Sequence, residues 1–240
     1  QELRRATLID TPGIGSLTDH VSRRTWELLA VDDDEAPADA VLYLMKHLHV
    51  DDMEFLRAFH EQKLTVGHTF DLFGRIDFYQ SLWNGAPSAY RDYEETYAHV
   101  QSLRPFLQAH ALPPVLSHID AVYDNFLFIP GDGGEELHLI DWEYAGMHDP
   151  HIDIAMFCIY AFYDREQVDR LIDLYFPEGC ADAVRVKIYG YIAACGLLWS
   201  NWCEYKRMLG VEFGEYSLRQ YQYAKEYYQI VCRERKRLGL

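Results

Sequence analysis

A loop that leads straight into a hairpin constrains this chain more than any other feature. The stretch Ser117-His118-Ile119-Asp120-Ala121-Val122-Tyr123-Asp124-Asn125 runs directly into the apolar Phe126-Leu127-Phe128-Ile129. A short apolar run after an irregular segment reads as a buried strand. Pro130-Gly131-Asp132-Gly133-Gly134 is a turn, and Leu137-His138-Leu139-Ile140 is a second apolar run that ends in Asp141-Trp142-Glu143. Two strands joined by a tight turn return the chain to its starting point. Asn125 and Asp141, 16 positions apart, are therefore expected to meet, with Asp120 beside them.

The residue types at that meeting point suit phosphoryl transfer. A phosphoryl group spreads its charge over several oxygens, so catalysis there is mostly positioning and neutralisation by magnesium. Magnesium prefers hard oxygen ligands, usually one or two side chains completed by phosphates and water. Asn125 and Asp141 would supply those oxygens, and Asp120 would face the acceptor hydroxyl as catalytic base. His118 is expected to orient the loop rather than transfer protons. The bland alternative is three polar residues in a loop followed by an ordinary meander. The hairpin and its terminal acid, added to His-x-Asp-x4-Asn, favour the catalytic reading.

Composition narrows the partners. A chain of 240 residues holds one domain or two small ones, and its net charge of -16 argues against nucleic acid or an anionic membrane as the main partner. That charge is compatible with a cationic substrate. Cys158, Cys180, Cys195, Cys203 and Cys232 are odd in number and lack metal-ligand spacing, which suggests reduced thiols in a cytoplasmic protein. The longest apolar run, Ile188 to Trp199, contains Gly190 and Gly196 and is too short to span a bilayer, so it reads as a buried helix. No signal peptide is visible, and the chain begins at Gln1, which reads as a fragment or a processed chain.

Two unlike parts are expected, meeting near residue 58. In the first, Ala6 to Asp10 is a buried strand, Thr11-Pro12-Gly13-Ile14-Gly15-Ser16 its loop and Thr18 to Leu29 a helix. Ala40 to Met45 is a second strand and Asp51 to Gln62 an amphipathic helix, an α/β order. In the second, a helix is expected over Tyr90 to Leu107, with Pro105 near the end. Others are expected from Asp149 to Phe162, Arg165 to Tyr175, Ala181 to Lys206 and Leu218 to Lys236.

Asp10-Thr11-Pro12-Gly13 after a strand resembles the magnesium- and γ-phosphate-sensing loop of GTPases, and the longer stretch through Asp39-Ala40-Val41-Leu42-Tyr43-Leu44 resembles part of a bacterial dynamin-like GTPase domain. That likeness implies a water-mediated magnesium contact for Asp10 and a γ-phosphate contact for the Gly13 backbone. However, the sequence contains no G-x-x-x-x-G-K-[ST] phosphate cradle and no guanine-reading Asn-Lys-x-Asp. A strand-turn-helix piece left from a larger domain is the preferred reading of residues 1–58.

The remainder has a different likeness. His118-x-Asp120-x4-Asn125, Leu139-Ile140-Asp141-Trp142-Glu143-Tyr144-Ala145-Gly146 and Asp149-Pro150-His151-Ile152-Asp153-Ile154-Ala155 resemble the C-lobe of bacterial choline kinases. These belong to the choline/ethanolamine kinase and aminoglycoside phosphotransferase superfamily. Over residues 59–240 the resemblance implies a protein-kinase-like, mainly helical α+β lobe with a catalytic β-hairpin. It also implies ATP as donor and Mg2+ at Asn125 and Asp141. Glu143 is a further metal candidate or a brace for the loop. Asp153 is either a partner of the catalytic loop or a simple N-cap.

Acceptor choice should rest on aromatic residues. Choline offers no N–H, so aromatic faces are its natural receptor. Trp199 and Trp202 lie three apart on one helix face, and the resemblance adds Tyr144 and Tyr216 as substrate-binding candidates. The plain alternative is an aromatic stripe buried in the core. The GTPase-like segment stands where a nucleotide lobe belongs, and neither Lys46 nor Lys63 has the strand context of a phosphate-pairing lysine, so ATP affinity is expected to be weak. The rival functions are an aminoglycoside-type kinase, a non-catalytic choline-binding fragment and a GTPase fragment. Oligomeric state is not readable.

Overall fold

The computed structural model describes residues 50–131 and 134–240. Residues 1–49, which carry Asp10 to Ser16 and Lys46, lie outside that range, as does the GTPase-like expectation placed on them. Helix α1 (Val50–Glu61) runs through residue 58, where the boundary between the two parts was expected. It is followed by α2 (Leu72–Ser81), α3 (Tyr93–Gln101), α4 (Arg104–His110) and β1 (Val115–Ser117). A 3-10 turn (Tyr123–Asn125) then opens the hairpin β2 (Phe126–Gly131) and β3 (Gly134–Leu139), and β4 (Gly146–His148) closes the sheet-bearing region. Four helices complete the chain: α5 (His151–Tyr160), α6 (Arg165–Tyr175), α7 (Asp182–Met208) and α8 (Glu215–Leu238). This is the mainly helical α+β architecture expected from the sequence.

Helix α7 is the axis of the core. At 27 residues it extends about 40 Å, and from Val186 to Leu198 every side chain is buried. A helix apolar on all sides must be surrounded, and α2, α4, α5 and α8 surround this one. Helix α8 buries Gln220, Ala224, Tyr227 and Val231 at the three- and four-residue steps of an amphipathic helix, with Tyr221 and Tyr223 buried on either side. The two helices approach most closely at Gly196, where an added Cβ would lie 2.7 Å from the Gln220 carbonyl oxygen.

Two sheets of two strands each hold the loops. Strands β2 and β3 pair antiparallel from Phe126↔Leu139 to Gly131↔Gly134, so the hairpin turn is tighter than the five residues expected. Strand β1 pairs antiparallel with β4, Val115 opposite His148 and Ser117 opposite Gly146. The helix expected from Tyr90 to Leu107 is two helices. Pro105 falls in the first turn of α4 rather than near the end of one long helix; its missing N–H has no partner to lose there. Beneath β4, Asp149 accepts from Lys187 Nζ (2.6 Å), the Leu112 N–H (3.0 Å) and the His151 N–H (3.0 Å), which fixes the start of α5 against α7. Burial pushes the Asp149 carboxyl up, but Lys187 and His151 pull it further down and hold it below the usual range. No helix among the described residues is long and apolar enough to cross a membrane.

Candidate active site

Strand β1 delivers the chain to His118, and from there the loop is held from below. Asp153, in the first turn of α5 and fully buried, accepts from the His118 N–H (2.8 Å) and the Ile119 N–H (2.7 Å). Its side chain thus braces the loop and is not an N-cap. His60 of α1 donates from Nε2 to the same carboxylate at 2.9 Å, and its Nδ1 accepts from the Tyr175 hydroxyl of α6 at 2.8 Å. Ile119 is buried with φ +69°, a left-handed conformation that β-branched residues avoid. Such strain costs about 1–3 kcal/mol, and the paired hydrogen bonds to Asp153 offset it.

This turn aims Asp120 and Asn125 at one another. Asn125 Nδ2 donates to the Asp120 carbonyl at 2.8 Å and to Asp120 Oδ2 at 3.3 Å. The Ile140 N–H donates to the Asn125 carbonyl at 2.9 Å, closing the base of the hairpin and setting Asp141 next to it. Asp141 is exposed with φ +61°, so the chain turns sharply as it leaves the hairpin. His118 Nε2 donates to the Ile140 carbonyl at 2.9 Å, tying the loop to the residue before Asp141. The loop and the hairpin end are therefore one unit.

Electrostatics separates the roles. Burial, then the charge of Asp141, pushes the Asp120 carboxyl up to about 6, against the hydrogen bond from Asn125. Burial also lowers the pKa of His118, whose ring is sealed edge-on by Trp142 at 4.6 Å. A neutral imidazole that donates from Nε2 to the Ile140 carbonyl orients the loop. No three His, Cys, Asp or Glu side chains among the described residues converge as a metal cage. The donor set at the hairpin base is instead one carboxylate, Asp141, and one amide oxygen. Asn125 spends its N–H groups on Asp120 and leaves its Oδ1 as the acceptor end. That set fits magnesium, which completes its shell with phosphate and water oxygens. Glu143 is exposed, and its charge also bears on Asp120.

The four aromatic candidates form one wall. The Tyr144 ring meets Trp199 edge-on at 5.6 Å, and Trp199 meets Trp202 edge-on at 5.7 Å. Phe213, not anticipated from the sequence, continues the wall from Trp202 (4.7 Å) to Tyr216 (6.2 Å). All four expected side chains are only partly buried, and Tyr144 and Trp199 pack against the edge of the core. The charge of Asp120 reaches both the Tyr144 and the Tyr216 phenols, whose pKa values are raised chiefly by burial. Tyr160, whose ring lies 6.2 Å from Tyr216, donates to Asp124 at 3.3 Å, next to Asn125. The wall and the loop share one end of the molecule.

Comparison with known proteins places the chain. A sequence model of the phosphotransferase enzyme family (APH) matches residues 46–189, more than half of the chain. The chain belongs to this family. Protein LicA of Haemophilus influenzae is 32% identical over 111 residues, 43% of this chain and 39% of that protein. The chain spans about a third to two fifths of the length of the curated relatives it matches. The solved structure of LicA in complex with AMP superposes with a TM-score of 0.67 at 25% identity, covering 90% of this chain and 80% of that one. A choline/ethanolamine kinase family protein from Mesorhizobium loti gives a TM-score of 0.61 at 26% identity, covering 78% and 62%. The fold is the protein-kinase-like one expected. The family match begins at residue 46 and so takes in all of α1.

His60 and Tyr175 were not identified from the sequence. Their signal is faint, a histidine closing an amphipathic helix and a tyrosine closing another, and each becomes meaningful only through Asp153.

Proposed function

We propose that the chain transfers the γ-phosphoryl group of ATP to the hydroxyl of choline or a similar small amino alcohol. One observation carries this reading: a partly exposed aromatic wall, Tyr144, Trp199, Trp202 and Tyr216, stands within the electrostatic reach of Asp120. Aromatic faces attract a quaternary ammonium that no hydrogen-bonding group could hold. The acceptor hydroxyl, two carbons away in such a molecule, would then be offered to Asp120.

In the proposed reaction the hydroxyl oxygen bonds to the γ-phosphorus as the bond to the ADP bridging oxygen breaks. The hydroxyl proton passes to Asp120. Asn125 and Asp141 would hold magnesium, which supplies charge neutralisation on the phosphates. His118 and Asp153 keep the loop in place throughout. Weak ATP affinity belongs to the same reading, because Lys63, the first lysine after α1, is exposed and is not itself part of a strand. The GTPase-like reading of residues 1–58 rests on Asp10 to Gly13 and on the stretch through Asp39 to Leu44, and a GTP-binding assay tests it.

Incubation of the chain with choline and ATP-magnesium, beside Asp120→Asn, tests the main proposal. Loss of at least about 100-fold in turnover is expected for the variant. Equal background product from both would remove the claim of activity. Choline binding by calorimetry without turnover would leave a binding fragment.

A further inference from the structure

One ring of the aromatic wall already carries a cation supplied by the chain itself. Lys206, four residues after Trp202 in the last turn of α7, holds its Nζ over the Trp202 ring, 5.3 Å from the centroid. Residues four apart share a helix face, so this contact is local to α7. The same indole meets Trp199 at 5.7 Å and Phe213 at 4.7 Å. Lys187 and Lys225 also stand over rings, at 6.0 and 5.7 Å, but each is paired to a carboxylate, Asp149 and Asp92 respectively. Lys206 has no such ion pair among the described residues. Its neighbour Arg207 is committed elsewhere, to Glu204 at 3.1 Å and the Pro87 carbonyl at 3.4 Å.

We propose that Lys206 is a tethered competitor for the acceptor: its ammonium fills the Trp202 face in the empty protein, and a bound cationic head displaces it. This role rests on the proposed amino-alcohol kinase reading and deepens it, because it concerns the seat of the acceptor's charge. A trimethylammonium and a lysine ammonium seek the same negative face of an indole, and they cannot share it. Lys206 is only partly buried, and its flexible four-carbon stem lets the ammonium swing aside without moving the helix. The seat opens as the side chain leaves, so no preformed cavity is needed there. The released charge stays well placed, since the C-terminal turn of a helix favours cations. Acceptor affinity then reports the difference between two cations on one ring, and the wall binds more weakly than its rings alone would allow.

The test measures calorimetric Kd for choline and for its uncharged isostere 3,3-dimethylbutan-1-ol, with the unaltered chain, Lys206→Ala and Lys206→Arg, at low and high salt. Lys206→Ala should bind choline about two- to fivefold tighter. The isostere should gain by a similar factor, because the ring is freed for both, and the gains should persist in high salt. Lys206→Arg keeps a cation on the ring and should bind no tighter than the unaltered chain. In the unaltered chain the Lys206 ε-methylene NMR resonance should be shifted upfield by the indole and return to the ordinary lysine position as choline saturates. An unchanged or weaker Kd in Lys206→Ala, a gain for choline alone that vanishes in high salt, or a resonance that stays put on choline binding would overturn the proposal. If choline binds without being turned over, the kinase reading fails while Kd and the resonance still decide the role of Lys206. Choline binding by none of the three forms overturns both.

Discussion

Asp153 shows how much one side chain can hold. Its two oxygens accept from the His118 and Ile119 N–H groups and from His60, all buried. Each donor left without an acceptor costs about 1–3 kcal/mol. Asp153→Ala is therefore expected to lower unfolding stability by about 3 kcal/mol or more, read from urea denaturation. A loss under about 1 kcal/mol would mean that water or a neighbour replaces the carboxylate. In sequence this residue was ambiguous, because a loop brace and an N-cap both place Asp at a helix start. The ambiguity ends only where the loop, some 35 positions earlier in the chain, is seen to return to it. Asp120 and Asn125 were legible because their relation is local, five residues within one turn.

At the scale of elements, the contact between α7 and α8 is set by Gly196. A methyl group there would meet the Gln220 carbonyl oxygen at 2.7 Å, Tyr223 Cβ at 2.8 Å and the Ala224 nitrogen at 3.0 Å, mostly backbone that cannot move alone. At Gly190 the same methyl meets Leu107 Cδ2 at 2.7 Å, the far end of a flexible side chain. Gly196→Ala should thus destabilise by about 2 kcal/mol or more, beyond the roughly 1 kcal/mol that alanine returns in helix propensity. Gly190→Ala should change stability by less than about 1 kcal/mol. Thermal unfolding of the two variants checks the difference, and equal effects would show that the helices part easily at Gly196. The long helices were readable from their apolar periodicity. The β1–β4 pair was not, because three residues are too few to show a period and the partners lie about 30 positions apart.

For the whole molecule, charge would set how the proposed cationic acceptor arrives. A net charge of -16 over 240 residues creates a field that draws cations and that salt screens. At saturating ATP-magnesium, raising ionic strength from about 0.01 M to about 1 M should raise KM for choline several-fold. The uncharged isostere 3,3-dimethylbutan-1-ol should show little change. A parallel rise for both would assign the effect to the nucleotide or the fold instead. Composition alone carries that prediction, since it depends on total charge and not on where each residue sits.

The family, the α+β class and the meeting of Asp120 with Asn125 in one loop were decided by the sequence, because those signals are short patterns at fixed offsets. Tertiary structure alone decided that Tyr144 and Trp199, 55 positions apart, share an edge, and that Phe213 completes their wall. It also decided that His60, 93 positions from Asp153, braces the loop. The physical reason is the same throughout. Helical and strand periods are written in neighbouring residues, whereas the meeting of distant side chains depends on how whole helices pack around α7.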